Sequence, residues 1–296
     1  MPVPTGNPGI GLAVRATRVA GSQTEADRYG LMGHPVGHSW SPFIHGMFAK
    51  QTEQLLTYKL IDVPPERFRA AALDFFTHAG RGLNVTVPHK QAAAELVNRL
   101  TGRAERAGAV NTILLDGQNE LLGDNTDGAG LITDLVINLG FDLEGRNILV
   151  LGAGGATRGV VGPLLEAQPG ALTVANRTPD RALALAAEFA DLGSLTGCGF
   201  EDVPAEPFDL IINATSAGLQ GGVPPIAPET IGENTLCYDM MYGKGDTAFT
   251  RWARDNGASL AQKGWGMLVE QAAESFNLWR GIRPDTKPVL EALLAL

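Results

Sequence analysis

The chain of 296 residues is poor in cysteine, with only two, Cys198 and Cys237. They stand neither in a CxxC pair nor beside a histidine, so neither a disulfide framework nor a zinc site is supported. The five histidines, His34, His38, His45, His78 and His89, also lack ligand spacing such as HExxH. These two shortages predict no bound metal and a reduced, cytoplasmic setting. Long apolar runs are missing too. The longest uncharged stretch, Leu210 to Pro228, is broken by three prolines and three glycines and cannot span a membrane. Residues 1–27 include Pro2, Pro4 and Pro8 but no apolar core of a secretory signal, and read as a mobile extension outside the fold. Positive charge is also short. With 23 basic against 32 acidic residues, a formal charge of −9, no footprint for nucleic acid or an anionic membrane exists. An anionic small molecule must then be held by local groups.

What the chain has in excess is glycine, 37 residues or one in eight, against an ordinary share of roughly 7%. Without a Gly-X-Y period this excess points to tight turns and close backbone approach to a ligand. From Tyr29 onward short apolar runs alternate with helical periodicity, the mark of an α/β architecture. Strands are expected at Tyr29–Gly33, Tyr58–Val63 and Gly82–Val87. Helices are expected at Ser41–Gln54, with Ser41 as N-cap and Pro42 at the first helical position, at Pro65–Ala79 and at His89–Leu100. Ala109 to Asp124 reads as a hairpin around Asp116-Gly117. A helix over Asp127–Leu139 then leads to a second α/β unit with strands at Asn147–Leu151, Leu172–Asn176 and Phe208–Ala214. Helices at Met267–Trp279 and Pro288–Leu296 close the chain without a further strand and are expected to return to the first unit. The predicted organisation is a discontinuous substrate-binding domain, 28–127 plus 266–296, and a cofactor domain, 128–265.

Asn147 to Ala156 runs strand, turn, helix start, and reads G-x-G-G-A across Gly152, Ala153, Gly154, Gly155 and Ala156. Glycines there permit a tight turn and approach of a pyrophosphate to the N–H groups of a helix N-terminus. The next strand ends at Asn176-Arg177-Thr178, where an NAD enzyme usually has an acidic residue on the ribose hydroxyls. The planar donor fork of Arg177, the hydroxyl of Thr178 and the amide of Asn176 suit a 2′-phosphate instead, with Arg158 added from the glycine-loop helix. NADP is therefore the expected cofactor.

Three polar segments fall in the first unit. The stretch Gly33 to Pro42 offers the hydroxyls of Ser39 and Ser41 to a carboxylate. Gly82 to Lys90 places Asn84 and Thr86 on one side of a strand and Lys90 just beyond its end, where sheets of this class bind ligands. Asn111 lies on the hairpin, and Asp127, either a helix cap or an acid/base partner for Lys90, follows in Gly123 to Gly128.

Taken together, the motifs H-S-W-S-P, G-L-N-V-T-V-P-H-K, A-V-N-T, G-D-N-T-D-G, G-A-G-G-A, N-R-T, I-N-A-T-S-A-G, D-M-M-Y and M-L-V-E-Q resemble those of the shikimate dehydrogenase family from Tyr29 to the C-terminus. The resemblance implies a two-domain α/β fold, with a mostly parallel substrate domain, a Rossmann-like NADP domain and a cleft between them. It implies Lys90 and Asp127 as the catalytic pair, and shikimate contacts from Ser39, Ser41, Thr86, Asn111, Tyr242 and Gln271. NADP contacts would come from Gly152 to Ala156, Asn176 to Thr178, Met240 and Gly264, with Asn213 to Ser216, including Thr215, as the floor of the cofactor cleft. Gly46 stands where the family commonly has Asn. A small-molecule substrate is the expected partner, and a homodimer is compatible with the resemblance. Two other readings are a quinate/shikimate enzyme of broader cofactor use, against which Asn176-Arg177-Thr178 argues, and a non-catalytic NADP sensor, against which Lys90 and Asp127 argue.

Overall fold

The computed structural model describes residues 26–215, 217 and 222–295. The expected N-terminal extension lies outside them up to Glu25, as does Ser216. Two six-stranded sheets organise the described chain. The first combines β1 (Asp27–Gly33), β2 (Leu56–Asp62), β3 (Gly80–Val85), β4 (Arg99–Leu100), β5 (Thr112–Leu115) and β6 (Leu121–Asp124) in the order β2-β1-β3-β5-β6-β4. It is parallel except around β5, which pairs antiparallel with both β3 and β6 as the expected hairpin. The second combines β7 (Asn147–Leu151), β8 (Ala171–Asn176), β9 (Leu195–Gly199), β10 (Leu210–Asn213), β11 (Leu236–Asp239) and β12 (Leu260–Lys263) in the order β12-β11-β10-β7-β8-β9. All of its pairings are parallel.

Alternation explains why β7 is apolar throughout. Ile148 and Val150 enter one core with Val160 and Leu164 of α6 (Gly155–Glu166), whereas Leu149 and Leu151 enter another with Phe249 of α8 (Ala248–Asp255). A strand covered on both faces must be apolar at every position. On the first sheet, Met32, Leu83, Val85 and Ile113 meet the phenylalanines of α2 (Phe68–Thr77). The helical cover that includes α1 (Ser41–Gln51) is completed by α9 (Trp265–Arg280) and α10 (Lys287–Leu294), where Ile44, Phe48, Val269, Phe276 and Val289 form one cluster. The end of the chain thus packs on its beginning, and α9 touches β3 and β5 directly.

The expected helix from Ser41 ends at Gln51 rather than Gln54, and three others are divided or interrupted. The first turn of Pro65–Ala79 is a 3-10 turn, Pro65–Arg67, ahead of α2. The expected helix His89–Leu100 is α3 (Lys90–Leu96), which stops because Val97 is extended at φ −73° and ψ 156°. Strand β4 follows, and then α4 (Gly102–Ala107), with the Thr101 hydroxyl accepting from the Ala104 N–H at 3.3 Å. The third, Asp127–Leu139, is α5 (Asp127–Thr133) continued by a π-helical turn over Asp134–Asn138.

Helix α5 connects the sheets and is wedged between α6 and α9. A Cβ on Gly128 would lie 2.4 Å from Cγ of Pro163 and 2.6 Å from the Gly159 carbonyl, and one on Gly130 would lie 2.7 Å from Cβ of Gln271. Gly128→Ala should therefore cost about 1–3 kcal/mol through overpacking, whereas Gly102→Ala, with nothing within 4 Å of the added carbon, should stay within roughly 0.5 kcal/mol. Urea unfolding of both variants checks this, and equal midpoints would refute the close-packing account.

Candidate active site

Strand β3 ends at Val85, and the turn after it is tied to the loop after β1. The Thr86 N–H donates to the Met32 carbonyl at 2.9 Å and the His34 N–H to the Val87 carbonyl at 3.0 Å. These bonds bring the segment with Ser39 and Ser41 beside the one with Thr86 and Lys90, at the carboxyl edge of the sheet. The expected cap is corrected here. Trp40 occupies the N-cap position and Ser41 is the first helical residue. Ser39 supplies the acceptor instead: its Oγ takes the Ser41 N–H at 3.2 Å and donates to Ser41 Oγ at 3.1 Å.

Lys90 opens α3 and Asp127 opens α5, and Lys90 Nζ donates to Asp127 Oδ2 in an ion pair. Their side chains are 22% and 10% exposed, sheltered enough to hold one geometry yet reachable from the cleft. Asp127 is no cap, since Thr126 holds that position. Asn111 fixes its other oxygen, donating to Asp127 Oδ1 at 2.8 Å and to Thr126 Oγ1 at 2.9 Å. Gln271 joins this group, its Oε1 accepting from Asn111 and Thr126 at 3.4 Å. Behind it runs a buried polar layer that sequence spacing did not reveal. The Asn84 amide donates to Ser275 Oγ at 3.0 Å and to Thr112 Oγ1 at 3.2 Å, while the Tyr58 hydroxyl donates to Asn84 Oδ1 at 2.7 Å. Such a layer, with its members satisfied, holds the groups in front of it in a single arrangement.

At the second sheet, strand order reverses between β7 and β10, so a crevice opens beyond their carboxyl ends. Gly152 has φ +103°, a conformation that suits glycine, and a Cβ there would come within 3.1 Å of Thr215 Cγ2. Added carbons on Gly154 and Gly155 meet nothing within 4 Å, and no side chain caps α6. An open backbone and free helix N–H groups fit a dinucleotide pyrophosphate. Asn176 is already engaged as a brace. Its Oδ1 accepts from the Ala153 N–H at 3.2 Å and its Nδ2 donates to the Thr178 carbonyl at 2.9 Å. Arg177 and Thr178 are exposed beside it.

Arg158 does not join them. Its Nε donates to the Ala107 carbonyl at 3.0 Å and its Nη2 pairs with Glu188, the last residue of α7 (Pro179–Glu188). Arg177 stands at the other end of that helix, on the order of 15 Å away along its axis. Arg181, exposed and not singled out by the sequence motifs, is a further candidate beside them. It lies in the first turn of α7, where its N–H donates to the Thr178 carbonyl at 3.1 Å. A second arginine four residues after Arg177, opening a helix, was the available signal.

Gly264 precedes α9, and a Cβ there would lie 2.6 Å from the Met240 carbonyl. Tyr242 follows Met240, its ring centroid 5.0 Å from that of Trp265, and burial raises its phenol pKa. Gly46 is exposed with open space around it, so the missing side chain leaves no defect. Among the described residues no cluster of His, Cys, Asp and Glu could hold a metal, and no helix is long and apolar enough to cross a membrane.

Comparison with known proteins gives consistent matches along the chain. The family model described as the shikimate dehydrogenase substrate binding domain matches residues 31–113. The shikimate / quinate 5-dehydrogenase model matches 135–220, and the shikimate 5′-dehydrogenase C-terminal domain model matches 264–294. A shikimate dehydrogenase (NADP(+)) of Alkalilimnicola ehrlichii is 54% identical, over 90% of this chain and 98% of its own. Its counterpart from Aeromonas hydrophila is 56% identical, over 90% and 97%. Among solved structures, the shikimate 5-dehydrogenase of Thermus thermophilus in complex with NADP(H) and shikimate aligns with TM-score 0.79 and 37% identity, over 90% of this chain and 98% of that one. An Ael1 enzyme from Pseudomonas putida aligns with TM-score 0.86 and 44% identity, over 90% and 98%.

One buried group behind the site has a thermodynamic consequence. His45 of α1 stacks on Tyr58 with ring centroids 4.2 Å apart, and neither of its ring nitrogens has a hydrogen-bond partner among the described residues. Burial pushes its pKa down to about 3, against a smaller opposing effect of nearby Asn84. The folded state keeps this imidazole neutral, whereas the unfolded chain protonates it below roughly pH 6.5. Its contribution to stability is thus full above that pH and is lost as pH falls toward 3, at up to about 1.4 kcal/mol per pH unit. His45→Phe should flatten the decline of Tm between pH 6.5 and 4. A decline as steep as in the parent protein would show that His45 is not its source.

Proposed function

Because the chain belongs to the shikimate dehydrogenase family, we propose that it catalyses the reversible NADP-dependent reduction of 3-dehydroshikimate to shikimate, in the biosynthesis of chorismate and the aromatic amino acids. The observation that supports this most directly is the position of the Lys90–Asp127 pair. A Cβ on Gly159 would lie 3.4 Å from Cβ of Asp127, so the acid/base couple abuts the helix whose N-terminus is open for the pyrophosphate. In this reading residues 28–127 with 266–296 bind substrate and residues 128–265 bind NADP. The enzyme works in the cytoplasm on a small molecule, and a homodimer is the assembly we expect.

The bound dinucleotide supplies the hydride for the C3 carbonyl of the substrate. As the carbonyl oxygen gains charge, the Lys90 ammonium stabilises it and gives it a proton. Asp127, held by Asn111, keeps the ammonium aimed and accepts from the neighbouring C4 hydroxyl. Ser39 and Ser41 take the ring carboxylate together with Tyr242, while Thr86, Asn111 and Gln271 face its hydroxyls. A site lined to pair with hydroxyls disfavours a ring that lacks them, because its own polar groups would be left unsatisfied. Gly152 to Ala156 cradle the pyrophosphate over Thr215. Arg177, Thr178 and Arg181 receive the 2′-phosphate, with Asn176 holding their loop, and Met240 and Gly264 flank the nicotinamide.

Oxidation of shikimate with NADP, followed by absorbance and repeated with quinate and with NAD, tests the assignment; equal kcat/KM for NAD and NADP would refute the cofactor reading. Lys90→Ala should lower kcat at least tenfold, within the roughly 10²–10⁴-fold range of positioned acid catalysis, with little change in KM. An unchanged kcat sinks its role. Arg177→Ala and Arg181→Ala should each raise the KM for NADP about 10- to 100-fold, the worth of a charge-assisted bond. Arg158→Ala should leave it within about twofold, since that side chain is spent elsewhere. A large rise in KM for Arg158→Ala would restore Arg158 to the phosphate site.

A further inference from the structure

The loop from Met241 to Asp246 carries Tyr242, whose ring packs on Trp265 of α9, and its two ends are anchored by ordinary means. At the start, the Met241 N–H donates to Asp239 Oδ1 at 3.1 Å and the Met241 carbonyl accepts from the Gly264 N–H at 3.0 Å. At the finish, Asp246 is tied to α8, its carboxylate accepting from Arg254 at 2.5 Å and its carbonyl from Arg251 at 2.7 Å. The middle, Gly243-Lys244-Gly245, has neither an apolar side chain to bury nor regular structure. It is held by a cation from a different element. Lys263 Nζ, at the end of β12, donates to the Gly243 carbonyl at 3.0 Å and to the Gly245 carbonyl at 2.7 Å.

This is an unusual use of a lysine. Lys90, Arg103 and Arg158, bonded around the site, each pair with a carboxylate. Lys263 makes no carboxylate ion pair among the described residues, and the nearby Asp246 is taken by Arg254. An ammonium that bridges two carbonyls two residues apart fixes the peptide units between them, because both oxygens must converge on one nitrogen. Bonds of this charge-assisted kind are stronger than neutral ones. Lys263 is also the residue immediately before Gly264. The same backbone therefore fixes the nicotinamide-side glycine and, through the ammonium, the loop that presents Tyr242.

We propose that Lys263 is a positioning residue for substrate binding: by clamping the Gly243 and Gly245 carbonyls it holds Tyr242 at the substrate, in register with the cofactor side of the cleft at Gly264. The inference rests on the reading above, in which Tyr242 contacts the substrate. Lys263 itself touches neither substrate nor cofactor, so its effect passes through Tyr242.

A double-mutant cycle on the full-length enzyme tests this. Lys263→Met keeps the aliphatic stem and removes both bonds. It should raise the KM for shikimate about tenfold, leaving kcat and the KM for NADP within about twofold, the pattern of lost ground-state and transition-state binding alike. Tyr242→Phe removes only the hydroxyl and should also raise the KM for shikimate. Adding Lys263→Met to Tyr242→Phe should then raise it little further, since coupled residues are non-additive. Multiplied effects in the double variant, with Tyr242→Phe active on its own, overturn the inference and leave the site assignment standing. So does a lowered Tm for Lys263→Met with unchanged KM, which is what a merely structural lysine would give. An unchanged KM in Tyr242→Phe alone takes down the assignment of Tyr242 to the substrate, and the inference with it.

Discussion

The close approach of α5 to α6 and α9 is the constraint on which the rest of the molecule depends. Three glycines set the contacts there, Gly128 against Gly159 and Pro163, Gly130 against Gln271, and Gly266 of α9 against Asp134 in the turn that continues α5. Asp134 is buried in this joint, takes the Tyr238 hydroxyl at 2.6 Å and the Asn138 amide at 2.9 Å, and has its pKa raised by burial. Helix α5 begins at Asp127, α6 begins at the pyrophosphate turn, and α9 carries Gln271. Fixing the distances among three helices thus fixes the distances among three functional groups. Dispersion and shape do this together with the buried hydrogen bonds of Asp134, because close packing at glycines leaves little room for adjustment.

Much of this was legible in the chain, and the failures share a cause. Strand β7 could be bounded to the residue because an apolar run ends abruptly in glycine. The crossover into parallel strands and the hairpin followed from local pattern, whereas the residues alone left Asp127 as cap or acid/base partner and its pairing with Lys90 came from the family resemblance. The helix predicted over His89–Leu100 failed because Val97 and Asn98, tolerable in a helix, are drawn into an extended segment, where the Asn98 N–H bonds the Leu121 carbonyl at 2.9 Å. That is a tertiary preference overriding a weak local one. The sides taken by Ser39 and Ser41, and the direction of Arg158, depend on side-chain geometry that spacing alone does not encode. The layer of Tyr58, Asn84, Thr112 and Ser275 joins residues up to 191 positions apart, and no local signal reports such a contact.

Electrostatics follow the same economy of means. The chain is acidic overall, yet it must hold a multiply charged dinucleotide and a carboxylate substrate. Surface-wide positive charge is not used. In the proposed assignment, oriented backbone N–H groups at α6 and the arginines at the mouth of α7 act at short range, where screening by salt matters least. Arg158 and Arg103 are withdrawn into ion pairs, Arg103 with Asp124 and Glu274, linking β6 to α9. A net negative surface then coexists with local anion sites.

The brace formed by Asn176 bears on how cofactor preference can change, in evolution or by design. One carboxamide holds the Ala153 amide of the glycine turn with its oxygen and the Thr178 carbonyl with its nitrogen. In the proposed assignment the turn for the pyrophosphate, common to both dinucleotides, and the loop that distinguishes them therefore share one side chain. An acidic replacement at this position, the obvious route to a ribose-binding carboxylate, would lose the donor that Thr178 requires and set a charge against its carbonyl. On that assignment a switch toward NAD is accessible through the exposed Arg177, Thr178 and Arg181 and is obstructed at Asn176. Selectivity in this fold is modular at its rim and entangled at its root.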